Sequence, residues 1–335
     1  MNNTLSITRI DHEDPVSIAA LAAEKRYFDY YGIDYRSHIV EMEEPTLRLR
    51  VIEAGEGPPL LMVPGGAGDA FVFAPIMAEL TGWRIIAINR PGAGLSDGVD
   101  LRRVDLRRLA VDTIRTVADA FDLERAPIVC NSMGGLWSSW YALACPERVS
   151  AMVQIGCPAL ILDTSAPFFM RLIGVPGINR VITPQLQPKS VDSALDGLRF
   201  QGSSEEDIAG MPRAAADAAY HMYRLPTYLE TWKTLIAAVA TIRGANPRYR
   251  LRAEELEAIE QPVQFIWGDN DVFGDLGVAR EATRLIPDAR LHEMQAGHVP
   301  MLDKPQATAA VIREFLGSPP LQIAGNRAAL QKTAH

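Results

Sequence analysis

Hydrophobic and polar residues follow two different patterns along this chain. Leu47-x-Leu49-x-Val51 alternates apolar with polar residues, as a strand with one face in a core does. Arg36 to Met42 precedes it across a Glu-Glu-Pro turn, which predicts an antiparallel hairpin at a sheet edge. From Pro59 the period changes. Pro59–Val63 and Ile128–Cys130 are continuous apolar runs, expected of strands buried on both faces, and Trp83–Asn89, Ser150–Ile155 and Pro262–Trp267 read as further strands of the same kind. Helical segments separate them. The clearest is Asp105–Phe121, with Leu106, Leu109, Ala110, Thr113, Ile114 and Val117 on one side. Further helices are predicted up to about Leu80 and over Leu136–Ala144, Leu276–Ile286 and Gln306–Leu316, with a short strand at Ala289–Met294. Strands and helices alternating through short links predict an α/β fold, a parallel sheet with helices on both faces.

Two stretches stand outside this rhythm. Residues 158–261 have scattered prolines, no buried-strand run, and helical segments at Asp217–Tyr223 and Tyr228–Thr241. They read as an inserted helical cap over the sheet. Residues 1–35 read as an extension with a weak helical pattern from Pro15 to Lys25. The aromatic cluster after it (Tyr27, Phe28, Tyr30, Tyr31, Tyr35) is expected to pack on the core rather than bind a ligand. The core is then 36–157 and 262–317, and the tail 318–335 is expected to be loosely ordered.

Composition narrows the function. The 335 residues are 48% hydrophobic and 22% charged, ordinary for a soluble globular enzyme. A net charge of −8 argues against non-specific nucleic-acid binding. No run of about 18 apolar residues occurs, so no membrane span is expected. Met1 to Arg9 lacks a basic region followed by an apolar core, so no export is expected. Cys130, Cys145 and Cys157 lie in apolar runs without metal-like spacing, which fits buried thiols in a reducing cytoplasm.

The stretch richest in chemistry is Ala126-Pro-Ile-Val-Cys-Asn-Ser132-Met-Gly-Gly-Leu-Trp137. A buried strand turns sharply into a helix, with a hydroxyl held at the bend and small residues behind it. Cys130-x-Ser132-x-Gly134 matches a nucleophile elbow, with cysteine in place of the first glycine. A serine needs a base, and the base needs a carboxylate to fix its tautomer. Of six histidines, only His298 sits in a loop directly after a strand at the active edge of the sheet. His221, in the helical stretch, reads as a packing residue. Asp271, four residues past the Val263–Trp267 strand, is the preferred carboxylate. Asp269 would cap the turn, and Asp163 is the reserve. All three preferred positions fall in loops after strands, where open α/β sheets place ligands. For an oxyanion, the N–H groups of Gly66 and Met133 are the candidate donors. The Gly65–Gly68 loop lacks the lysine of a phosphate-binding loop and the third glycine of a dinucleotide fingerprint. The loop Arg90-Pro-Gly-Ala-Gly-Leu-Ser-Asp97 reads as structural.

These motifs together resemble the α/β-hydrolase superfamily, in its serine-nucleophile branch with a helical cap. Val63-Pro-Gly-Gly66, Arg90-Pro-Gly-x-Gly-x-Ser-Asp97, Asn131-Ser-Met-Gly-Gly135, Trp267-Gly-x-x-Asp271 and Gly297-His298 run in the family's order, across roughly residues 40 to 316. The resemblance implies a mostly parallel eight-stranded sheet, Ser132 as nucleophile, His298 as base, Asp271 as its partner, and Gly66 with Met133 as oxyanion hole. Pro64 stands where relatives often have histidine. The implied activity is hydrolysis of a small, largely apolar ester or lactone, without metal or cofactor. Asn131-Ser-Met-Gly-Gly135 is also similar to the elbow of hydrolases that split C–C bonds in ring-cleavage dienoates, but Val299 replaces the aromatic residue those carry after the histidine. A hydrolase-like small-molecule receptor and a homodimer stay open.

Overall fold

The computed structural model describes residues 6–66, 68–175 and 177–317. The tail 318–335 lies outside the described residues. An eight-stranded sheet forms the centre, built from β1 (Tyr35–Met42), β2 (Leu47–Ala54), β3 (Pro59–Val63), β4 (Arg84–Ile88), β5 (Ala126–Asn131), β6 (Val149–Ile155), β7 (Val263–Gly268) and β8 (Ala289–Met294). Its spatial order is β8-β7-β6-β5-β3-β4-β2-β1. The hairpin β1–β2 and the β2–β4 pair are antiparallel, and all remaining neighbours are parallel. This is the α/β-hydrolase arrangement, and it explains the change of period at Pro59.

The central parallel strands β3, β4, β5, β6 and β7 are mostly apolar because helices cover both faces, whereas the edge strand β8 (Ala-Arg-Leu-His-Glu-Met) exposes Arg290, His292 and Glu293. Successive residues of β3 go to opposite sides. Leu61 and Val63 join a core with Ile114 and Val117 of α2 (Leu106–Ala120) and Trp137 and Trp140 of α3 (Met133–Ala144). Leu60 and Met62 join a second core with Phe28, Ile76 and Ile312. α2 begins where sequence reading put it, because the Asp105 carboxylate caps the N–H groups of Arg107 and Arg108. Between β6 and β7 the chain forms short helical turns and two longer helices, α4 (Arg213–Met222) and α5 (Pro226–Val239). α5 starts earlier than expected, since Pro226 occupies the first turn, where no N–H is needed. Helices α6 (Leu276–Leu285) and α7 (Pro305–Leu316) complete the pattern. Among the described residues no helix is long and apolar enough to cross a membrane.

The N-terminal helix departs most from expectation. α1 runs from Pro15 to Tyr30, five residues beyond Lys25, so Tyr27, Phe28 and Tyr30 belong to it. Tyr27 and Phe28 continue a buried face begun by Ala20, Ala23 and Glu24. Glu24 interrupts the apolar pattern because it meets a charge from the sheet. Its carboxylate takes two hydrogen bonds from the Arg50 guanidinium, at 2.9 and 2.5 Å, and both side chains are almost wholly buried. Ser37 Oγ and Tyr35 Oη fill remaining positions around the pair. A second tie forms at Asp97, whose buried carboxylate receives Arg9, Arg48 and the Ile10 N–H. Burial would raise its pKa, but the bonds from Arg48, Ile10 and Arg9 outweigh that and hold it at about 2.

Two predictions follow from these ties. Removing one partner of a buried ion pair strands the other charge, so Glu24→Leu is expected to destabilise the fold by roughly 3–5 kcal/mol in urea unfolding. Glu24→Leu combined with Arg50→Met is expected to recover most of that loss. Because the Asp97 pKa is depressed when folded, its contribution is complete near neutral pH and is lost as pH falls from about 4 toward 2. Asp97→Asn should therefore lower stability at pH 7 and shrink the loss of stability between those pH values.

Candidate active site

The strand β5 ends at Asn131, and Ser132 begins the turn into α3 with φ 53° and ψ −115°. A side chain rarely holds this backbone, and such strain persists only where surrounding structure over-determines it. Asn131 supplies part of that constraint, donating through Nδ2 to the Ile155 carbonyl at 2.8 Å and the His298 carbonyl at 3.3 Å. Gly134 supplies another part: any Cβ there would overlap the carbonyl of Val63, so only glycine lets α3 sit against β3. Cys130 fits at the elbow's first position because its side chain is fully buried against Val153 and Gln154 of β6. Burial pushes its thiol up to about 12, so it stays protonated and inert.

Asp271 and His298 come together from the loops after β7 and β8. His298 Nδ1 lies 2.8 Å from Asp271 Oδ2, and both side chains are almost fully buried. The carboxylate also accepts the Cys157 N–H at 2.8 Å on Oδ2 and the Phe273 N–H at 2.9 Å on Oδ1. A carboxylate so supplied with donors is an acceptor only, which places the imidazole proton on Nδ1 and leaves Nε2 with a bare lone pair. Phe273 packs on the ring at 4.2 Å between centroids, and the His298 N–H donates to the Gln201 carbonyl. Nε2 is buried and has no hydrogen-bond partner among the described residues.

His298 and Ser132 line one cavity of about 550 Å³. Gly66 and Met133 line it too, and Met133 opens α3, so its N–H has no acceptor within the helix. Met170 and Trp232 contribute apolar walls and the partly exposed Phe169 its rim, while Phe168 and Leu172 do not line the cavity. Other sequence candidates fall elsewhere. Asp163 projects into solvent beside Arg250, and Asp269 does not cap its own turn but accepts the N–H of Ala296 in the loop after β8. His221 pairs with Asp217 on α4, away from the cavity. Among the described residues no cluster of histidine, cysteine and carboxylate side chains is arranged to hold a metal.

Two residues at the site carry only structural roles in the sequence analysis. Tyr27, expected only to pack, also lines the cavity. Arg90 is the other. Ser96 and Asp97 bear out a structural role for their part of the 90–97 loop, since Ser96 Oγ bridges the Asn89 carbonyl and the Arg50 N–H. Arg90 turns the opposite way. Its guanidinium donates to the carbonyls of Pro64 (2.9 Å), Gly65 and Gly66, and stacks on Trp137 at 4.8 Å. Among the described residues no carboxylate neutralises it, and burial pushes its pKa down to about 9. In a trans peptide the C=O and the following N–H point in opposite directions. Fixing the Gly65 carbonyl on Arg90 therefore turns the Gly66 N–H away from it. A signal existed in the sequence: an arginine two residues past the buried run Ile85-Ile-Ala-Ile88, before a Pro-Gly turn, has to find partners in the interior.

The chain belongs to the alpha/beta hydrolase family, whose model matches residues 60–311. It is 27% identical over 248 residues to a 2-hydroxy-6-oxononadienedioate/2-hydroxy-6-oxononatrienedioate hydrolase of Cupriavidus pinatubonensis, covering 73% of this chain and 79% of that one. It is 25% identical to a 2-hydroxy-6-oxo-6-phenylhexa-2,4-dienoate hydrolase of Burkholderia cepacia over 286 residues, 82% of this chain and 92% of the relative. Among solved structures, carboxylesterase CesB of Bacillus subtilis superposes with a TM-score of 0.68 at 18% identity, over 90% of this chain and 98% of its own. The meta-cleavage product hydrolase CumD of Pseudomonas fluorescens gives 0.64 at 20% identity, over 83% and 97%. At these identities the structures share the fold.

Arg90→Met should loosen the Gly65–Gly66 peptide, leaving the Gly65 carbonyl only its hydrogen bond from the Gly68 N–H at 3.2 Å. With the Gly66 N–H as the expected oxyanion donor, turnover should fall about 10²-fold in kcat with KM changed little, because a ground-state carbonyl hardly uses such a donor. Steady-state kinetics checks this, and Arg90→Lys should restore only part of the rate, since one ammonium cannot span three carbonyls with fork geometry.

Proposed function

We propose that the chain is a serine hydrolase that cleaves a small, largely apolar carboxylic ester or lactone through an acyl-enzyme. The observation that carries this reading is the buried His298–Asp271 hydrogen bond at 2.8 Å, with the far nitrogen unpartnered in the same cavity as the strained Ser132. His298 Nε2 takes the Ser132 proton as Oγ attacks the carbonyl carbon. The oxyanion forms against the Gly66 and Met133 N–H groups, and Asp271 stabilises the imidazolium. His298 then returns the proton to the leaving oxygen, which departs as an alcohol or, from a lactone, stays tethered to the acyl group. Water, deprotonated by His298, attacks the acyl carbon, and Ser132 leaves with its proton restored. Residues 158–261 act as the cap that excludes water during these steps.

A second reading is C–C bond hydrolysis of a ring-cleavage dienoate, which the Cupriavidus and Burkholderia relatives favour by their names. A dienoate carries a carboxylate, which an arginine fork holds best. No arginine lines the cavity and Lys189 is its one lysine among the described residues. That composition supports the ester first.

Ser132→Ala is expected to abolish turnover of p-nitrophenyl butyrate, and a fluorophosphonate should label Ser132 in the unaltered chain but nothing in the variant. Undiminished turnover in Ser132→Ala contradicts the proposal. Consumption of a 2-hydroxy-6-oxo-dienoate far faster than of any ester would move the assignment to the second reading.

A further inference from the structure

The wall of the cavity beside the glycine loop is aromatic, and part of it comes from outside the sheet and the helices above it. Tyr27 of α1 meets Phe71 edge-on, with centroids 6.0 Å apart and planes at 71°. Phe71 continues to Tyr223 at 6.3 Å, and Tyr223 stacks on Tyr228 at 4.6 Å and 17°. All four line the cavity that holds Ser132 and His298. Trp232 extends the wall to the glycine loop, since a side chain at Gly66 would meet its ring at 3.0 Å.

The placement of Tyr27 is enforced from two sides. Glu24, one turn earlier on α1, is bound to Arg50 of the sheet, and Arg26 reaches Asp217 of α4 at 2.6 Å. A helix held by the sheet and by α4 presents Tyr27 in a fixed position between them. That helix lies wholly outside residues 60–311, the span matching the family model. The ring therefore reaches the cavity from outside the span that matches the family model.

We propose that Tyr27 is a specificity-determining residue, and that the face it completes with Phe71, Tyr223 and Tyr228 selects substrates whose apolar part is an aryl or arylalkyl group. The inference rests on the ester-hydrolase reading of the same cavity. Rings at these separations offer edge and face to another ring, and such a pair adds attraction beyond the area it buries. A linear chain gains only the area. Selection thus shows as a ratio between substrates, not as a change in the chemical step.

The test compares p-nitrophenyl 3-phenylpropionate with p-nitrophenyl acetate. Tyr27→Leu, apolar but smaller and without a ring, is expected to lower the phenylpropionate-to-acetate ratio of kcat/KM up to tenfold. Tyr27→Phe should retain the ratio. An unchanged ratio in Tyr27→Leu overturns the proposal, as does an equal fall for both esters with a lowered Tm, which would make Tyr27 a packing residue alone. Calorimetry with free 3-phenylpropionate separates this inference from the reading beneath it. If the unaltered chain hydrolyses neither ester but binds this acid, and Tyr27→Leu weakens binding up to tenfold, the hydrolase reading fails and the aromatic site stands. Equal binding by both chains sinks the site.

Discussion

The hydrogen bond between Asp271 and His298 is the constraint on which the proposed chemistry depends. An imidazole has two nitrogens and, when neutral, one proton, and only its environment decides where that proton sits. Here the decision is made by a carboxylate already filled by two backbone N–H groups, from Cys157 after β6 and Phe273 after β7. Parallel strands make that convergence possible. Because β6, β7 and β8 run the same way, the loops at their ends open on one edge, and each supplies one member of the arrangement. Asn131, from the end of β5, extends the same network to the His298 backbone, so acid, base and serine turn are tied through main-chain groups rather than flexible side chains.

Across the cavity, Arg90 applies a related principle to the glycine loop. A buried cation is stable only when its donors are met, and three carbonyls of the loop meet them in the absence of a carboxylate. The charge stays behind the backbone, where it polarises peptide groups whose N–H atoms point the other way. On the proposed reading this strengthens the oxyanion donors without placing a flexible cation among substrate atoms. Glu24 and Arg50 show the other solution to buried charge, a mutually satisfied pair, and they use it to fasten α1 to the sheet.

What the sequence disclosed and what it hid follow from the range of the interactions. Strand identity was legible because burial on both faces requires unbroken apolar runs such as Leu60–Val63. The serine turn was legible because its small residues are adjacent in the chain. His298 and Asp271 could be picked out by elimination, since topology sends each loop after a parallel strand to one edge. Charges that go inward were not legible. Arg50 lies in an alternating strand where a polar residue reads as solvent-facing, and Glu24 ends an apolar pattern only because its partner is 26 residues away. The same break cut α1 short and hid Tyr27, whose face of the helix was correctly read as packing and incompletely read as cavity. Within 158–261 the helices were found, but their depth against the cavity depends on contacts that periodicity does not encode.

The most direct measurement is ¹⁵N-edited proton NMR of the histidine side chains, with His298 assigned by comparison with His298→Gln. The account predicts that His298 carries its ring proton on Nδ1, as a far-downfield resonance, and that Asp271→Asn abolishes this resonance together with hydrolysis. A proton found on Nε2 in the unaltered chain, or an Asp271→Asn variant with the same tautomer and the same turnover, would contradict it.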